Sequence, residues 1–150
     1  MGYEESSLRV AFCGLGNLGG PICDALVASP HIVAVFDPRR EVVEPRVARG
    51  ARPAISAADA ARDADAMIVM VRDDAQVHEV VFGELGLLAT APTGSVLVLH
   101  STVAPDTVRR VHAATVAAGV RFVDAGISTG GGRSIGEMYV MCGEIGRAHV

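Results

Sequence analysis

Gly14-Leu15-Gly16-Asn17-Leu18-Gly19 is the stretch on which the reading of this chain turns. An apolar run, Leu8-Arg9-Val10-Ala11-Phe12-Cys13, enters it, and a helix-forming segment over 21–27 leaves it. Three glycines between a strand and a helix suit a dinucleotide phosphate site, and each has a separate physical task. Gly14 allows the tight turn off the strand. Gly16, without a Cβ, lets a pyrophosphate approach the backbone. Gly19 lets the helix pack against the strand. The helix N-terminus then presents unpaired N–H groups and a partial positive charge to the phosphates.

Outward from this loop the pattern alternates. Strands are expected over 8–13, 32–36, 66–71, 95–99, 121–124 and 138–142, with a very short one at Ala54-Ile55. Helices are expected over 17–29, 41–49, 74–82 and 105–118. Pro45 blurs the start of the second helix, and Pro21 falls in the first turn of the first, where a missing N–H costs little. A further alanine-rich helix starts at Ser56, with Asp59 three residues on in the manner of a capping box. Short β-rich runs separated by helices predict an α/β fold with a doubly wound, mostly parallel sheet. Ligands then bind at the carboxyl ends of the strands, in the loops 14–19, 37–40, 71–74, 100–105 and 125–132.

Composition narrows the function classes. The chain has 150 residues, half of them hydrophobic and only 4% aromatic, which suits one domain with an aliphatic core. A net charge of −4 gives no electrostatic case for nucleic acid. No apolar run is long enough to cross a bilayer, so no membrane partner is expected. Cys13, Cys23 and Cys142 are isolated and read as buried small hydrophobes in a reducing compartment, without a metal site. Met67, Met70 and Met141 read as core residues. Residues 1–7, polar and acidic, are expected to be a disordered lead-in rather than a signal peptide. The chain reads as cytoplasmic. All thirteen basic residues are arginine; there is no lysine.

Four places carry chemistry. Asp37 ends the second strand, 18 residues after Gly19, where a carboxylate binds ribose hydroxyls and repels a 2′-phosphate. Arg39 and Arg40 follow it, and a guanidinium there suits the 2′-phosphate of NADP. The residues favour NAD, with NADP open. Ser101 and Thr102 follow a buried strand; their hydroxyls suit a substrate carboxylate or the nicotinamide amide, and equally helix capping. The run from Asp124 to Gly132 holds Ser128, Thr129 and Gly130, whose amides suit an anion, or a plain linker. His100 neighbours Ser101, but adjacent strand residues point to opposite faces, so it reads as structural.

Together these residues resemble the β-hydroxyacid dehydrogenase family, which includes 3-hydroxyisobutyrate dehydrogenase and is related to 6-phosphogluconate dehydrogenase. The likeness runs from about residue 8 to 143. It rests on the glycine run through Gly20-Pro21, Val71-Arg72-Asp73-Asp74, Phe82-Gly83-Glu84-Leu85-Gly86, Ser101-Thr102-Val103-Ala104-Pro105 and Asp124-Ala125-Gly126-Ile127-Ser128. The resemblance implies a Rossmann-like NAD(P)-binding domain over 8–143. It assigns Gly14, Gly16, Asn17, Leu18 and Gly19 to the pyrophosphate, Val71 and Arg72 to the adenosine side, and Thr102 to the nicotinamide. Ser128 and the loop through Gly130 would bind a small hydroxy-acid substrate, with hydride moving between cofactor and substrate carbon.

Three departures from the family qualify that implication. Thr129 stands where the family has a second glycine, Gly126 replaces a common proline, and the family's catalytic lysine falls beyond this chain. The last seven residues, Glu144-Ile145-Gly146-Arg147-Ala148-His149-Val150, resemble a translated sequencing adapter. They are expected to be a non-native tail on a protein that continues into a helical domain. That domain would carry the lysine and form a homo-oligomer. The chain alone would be inactive. A 6-phosphogluconate dehydrogenase-like enzyme, an imine reductase-like enzyme and a non-catalytic NAD(P)-sensing module fit the same cofactor loops.

Overall fold

The computed structural model describes residues 6–128 and 138–143. Strands β1 (Arg9–Cys13), β2 (Ile32–Phe36), β3 (Arg52–Pro53), β4 (Ala66–Val69), β5 (Val96–Leu99), β6 (Arg121–Ser128) and β7 (Tyr139–Gly143) form one sheet. Helices α1 (Gly19–Val27), α2 (Arg40–Val47), α3 (Ala57–Ala61), α4 (Asp74–Phe82) and α5 (Pro105–Ala117) alternate with the first six strands. The sheet order is β3-β2-β1-β4-β5-β6-β7, parallel through β6, with β7 antiparallel. The order reverses between β1 and β4, so the carboxyl ends of these two strands open the crevice where ligands bind in such sheets.

Two-residue periodicity divides the core. Phe12, Val33 and Val35 point to one face, where Cys23, Leu15 and Ala51 join them, with Ile22 and Leu26 of α1 and Val42 and Val43 of α2 packed alongside. Ala11, Cys13, Met67, Val69, Leu97 and Leu99 point to the other, against Val77 and Val81 of α4 and Val108 and Val111 of α5. Strands buried on both faces are near-continuous apolar runs for this reason.

Several expected boundaries move. The short strand is Arg52–Pro53, two residues earlier than Ala54-Ile55, and Ile55 is exposed. Gly50, at φ +107°, turns the chain back from α2, and Ala51 buries against the sheet, so pairing with Ala34 and Val35 starts at once. This edge tolerates Pro53, which has no N–H to donate. The strand over 66–71 ends at Val69 because the Met70 and Val71 amides turn to other partners, the Cys13 carbonyl and the Ser101 hydroxyl. Pro45 lies inside α2, which ends two residues later.

The loop expected to open after Asp124 does not begin there. β6 continues to Ser128 because Asp124 to Ser128 pair with β7. All five residues of β7 are exposed, so Cys142 and Met141 are surface residues rather than core. Ser7, at the end of the expected lead-in, donates its hydroxyl to the Pro30 carbonyl. Thr129, Gly130 and the tail over 144–150 lie outside the described residues.

Candidate functional site

β1 delivers the chain into the glycine loop, and backbone bonds fix how it leaves. The Gly14 N–H donates to the Phe36 carbonyl at the end of β2, and the Met70 N–H donates to the Cys13 carbonyl. Gly14 sits at φ +100°, and a Cβ there would lie 2.1 Å from the Met70 carbonyl oxygen. A Cβ at Gly19 would lie 2.1 Å from the Gly14 carbonyl oxygen. Both glycines are therefore demanded by backbone that has no room to yield. Gly16 differs: nothing lies within 4 Å of its Cβ position. Its missing side chain leaves space that the protein does not fill.

That space lies at the N-terminus of α1. Leu18 holds the N-cap position and makes no side-chain cap bond, and the first turn has no acidic residue. Leu15 is buried in the apolar layer and anchors the loop, while Asn17 and Leu18 are exposed. An anchored loop, an open glycine and an uncapped helix end together fit a pyrophosphate.

Asp37, just past β2, is bound into this loop. Its Oδ2 accepts the Leu15 N–H at 2.9 Å, and its Oδ1 accepts the Arg39 N–H at 3.0 Å. The Arg39 guanidinium pairs with both carboxylate oxygens, each at 3.0 Å. The Asp37 side chain is only 5% exposed and that of Arg39 52%. Burial works to raise the Asp37 pKa, but the Arg39 side chain, the two backbone amides and the Arg39 charge outweigh it and hold it below the ordinary carboxylate value. Nearby, burial first and the Asp37 charge second push the Cys13 thiol up to about 12, so Cys13 stays a neutral core residue.

The next two loops lie at the ends of β4 and β5. Val71 is half-buried and Arg72 exposed, and the Arg72 N–H donates to Gln76 Oε1. Ser101 is buried, with its hydroxyl accepting the Val71 N–H at 2.9 Å, whereas Thr102 beside it is exposed. His100 Nδ1 lies 2.7 Å from the Ala125 carbonyl; a carbonyl only accepts, so the ring donates there. That contact ties β5 to β6, a structural role. Ser128 ends β6 opposite Tyr139. The glycine loop, Asp37, Arg39, Val71, Arg72, Ser101 and Thr102 thus gather at the carboxyl ends of adjacent strands. Sequence reasoning missed Met70, whose carbonyl backs Gly14 and stands 3.5 Å from the Gly19 Cβ position, and Asp74, which reaches α5. The Asp73-Asp74 pair was the available signal.

Among the described residues there is no group of three or more His, Cys, Asp or Glu able to hold a metal ion. None of their helices is long and apolar enough to cross a membrane.

A parallel sheet reversing at β1 and β4, with an open glycine before an uncapped helix, defines a dinucleotide-binding domain of Rossmann type. More particularly, the family model for the NAD binding domain of 6-phosphogluconate dehydrogenase matches residues 9–149, and the chain belongs to that family. The matched domain is an NAD-binding one, and the relatives are hydroxyacid dehydrogenase-like oxidoreductases. The 3-hydroxyisobutyrate dehydrogenase of Pseudomonas aeruginosa is 37% identical over 135 residues, 89% of this chain and 45% of that protein. The NAD-dependent L-serine dehydrogenase of the same organism is 35% identical over 136 residues, 90% and 46% respectively. A solved Mycobacterium tuberculosis 3-hydroxyisobutyrate dehydrogenase with L-serine superposes with a TM-score of 0.81 at 30% identity, covering 92% of this chain and 47% of that one. The chain spans about half the length of the relatives it matches.

Proposed function

We propose that this chain is the cofactor-holding part of an NAD(P)-dependent oxidoreductase acting on a small 3-hydroxy acid or its semialdehyde. The observation that carries the reading is the contrast within the glycine loop. Two glycines are locked against backbone, while the third opens onto an uncapped helix N-terminus. The pyrophosphate lies against Gly16, Asn17 and the N–H groups opening α1. Val71 and Arg72 border the adenosine, Thr102 meets the nicotinamide, and Ser128 with Thr129 and Gly130 holds the substrate acid. The bound nicotinamide supplies the hydride acceptor or donor. The residues here bind and orient it; the chain has no lysine to move the accompanying proton. On this reading the whole protein is a cytoplasmic homo-oligomer.

The arrangement at β2 favours NAD. Asp37 is held ionised, and a carboxylate there repels a 2′-phosphate. Both its oxygens already accept bonds, so a ribose diol takes the place of the half-exposed Arg39 guanidinium. Arg39, once released, is the residue that would favour NADP. Titration with NADH and NADPH, followed by nicotinamide fluorescence, tests the reading. Saturable binding with NADH preferred is expected, and Arg39→Ala widens that preference about three- to tenfold, the equivalent of one modest charge-assisted contact. Folded protein that binds neither cofactor would overturn it.

A further inference from the structure

Two loops at the carboxyl ends of β4 and β5 hold each other. From the β5 side, the buried Ser101 hydroxyl accepts the Val71 N–H at 2.9 Å. From the β4 side, the Asp74 Oδ1 accepts the Ala104 N–H at 3.0 Å and the Thr107 hydroxyl at 2.5 Å. Each loop thus lends the other one acceptor, across about thirty residues of sequence.

Asp74 is free for this because α4 is capped without it. Asp73 accepts the Gln76 N–H, and Gln76 in turn accepts the Arg72 N–H. The needy end is that of α5. Its N-cap residue is Ala104, whose side chain makes no cap bond, and Asp74 accepts the Ala104 N–H from the neighbouring helix, adding its charge to that of Asp106 in the first turn. The other end of the arrangement reaches the glycine loop. The Val71 Cγ1 lies 3.0 Å from the Gly14 Cβ position, beside the Met70 carbonyl that dictates glycine there.

We propose that Ser101 and Asp74 are positioning residues for the dinucleotide, forming a two-way clasp that sets Val71 and Arg72 at a fixed separation from Thr102. The proposal rests on the assignment above of Val71 and Arg72 to the adenosine side and Thr102 to the nicotinamide side. A ligand spanning both loops is held fully only when their separation matches its own length. A ligand contacting one loop is indifferent to that separation. The clasp therefore acts on whole dinucleotide and spares a fragment of it.

The test compares NADH with ADP-ribose, which lacks the nicotinamide, on this chain by calorimetric titration. Ser101→Ala and Asp74→Ala are each expected to weaken NADH about three- to tenfold, a hydrogen bond's worth, and ADP-ribose less than about twofold. Asp74→Asn keeps the acceptor and restores most of the loss. Thr90→Val removes a remote hydroxyl bond to the Ala58 carbonyl and serves as the stability control. It lowers the thermal midpoint and leaves the ratio of the two affinities unchanged. Equal losses for NADH and ADP-ribose, or a changed ratio in Thr90→Val, would show a general loosening and overturn the clasp. So would unchanged NADH affinity in Ser101→Ala and Asp74→Ala. Binding of neither ligand by the parent chain is a different failure, one of the cofactor assignment itself, and removes the clasp's purpose with it.

Discussion

Helices α1 and α4 start at the carboxyl ends of the neighbouring strands β1 and β4, on opposite faces of the sheet, and their first turns are built in opposite ways. α4 is supplied from its own sequence: Asp73 caps it, Asp74 stands in its first turn, and Gln76 bonds back to Arg72. α1 has a leucine at the cap position, no acid in its first turn and an open glycine in front. Leaving a helix end without a carboxylate forgoes about 0.5–2 kcal/mol of capping. α1 forgoes it, and the group that can make up the difference is an anionic ligand. One helix end is completed from its own sequence; the other is left open to an anion.

The sharpest way to break this comparison is to add a methyl group at each of two glycines. Gly14→Ala places a Cβ 2.1 Å from the Met70 carbonyl oxygen at a φ of +100°. It should cost roughly 3 kcal/mol or more, read as a fall in the urea midpoint. Gly16→Ala meets no atom within 4 Å and should change stability by less than about 0.5 kcal/mol. It should nonetheless weaken NADH at least about tenfold, because the methyl group occupies the pyrophosphate's approach. A Gly16→Ala chain that binds NADH normally would detach the phosphate site from this loop.

That distinction between the glycines was only partly legible beforehand. Their spacing after an apolar run announces the turn, and local signals of the same kind locate β2 and α4 at the expected residues. Pro105 at the start of α5 and the Asp73-Asp74 pair at the start of α4 are short-range chemistry, and short-range chemistry reads well. What failed to read was pairing between distant residues. β6 runs on to Ser128 because β7 lies beside it, and no local feature of residues 124–128 says so. The same pairing leaves Met141 and Cys142 on an exposed edge despite their apolar character. At the site, Ser101 and Thr102 are equivalent in sequence, yet the sheet buries the first hydroxyl against Val71 and exposes the second.

Acid offers a smaller perturbation of the loop. Asp37 holds Leu15 in place as a carboxylate, with its pKa below the ordinary value near 3.9 that it regains on unfolding. Its contribution is therefore complete above the ordinary carboxylate range and is lost as the pH falls toward the folded pKa, where the native form also takes up the proton. Asp37→Asn, which offers the Leu15 and Arg39 donors a single neutral acceptor, should lose roughly 1–2 kcal/mol at pH 7. The urea midpoints of the variant and the parent chain should converge as the pH falls from about 4, the ordinary carboxylate value, toward the lower folded pKa. Parallel curves through that range would place the acid sensitivity elsewhere, for instance at Asp59, whose pKa is also lowered.

The gentlest change turns α1 toward α4. Leu18 is partly exposed, at 38%, so replacing it with aspartate removes little packing. Leu18 has helical backbone angles, φ −97° and ψ −43°, not the extended ones of a typical cap residue, so the gain comes from charge beside the helix dipole rather than from a cap hydrogen bond. Leu18→Asp should stabilise the chain by about 0.3–1 kcal/mol, and added salt should shrink the gain. On the proposed assignment the same carboxylate stands where the pyrophosphate carries its charge, so NADH affinity should fall while the thermal midpoint rises. Opposite signs in the two measurements are what an anion-seeking helix end requires. If stability and affinity rose together, the α1 terminus would not be where the cofactor's phosphates sit.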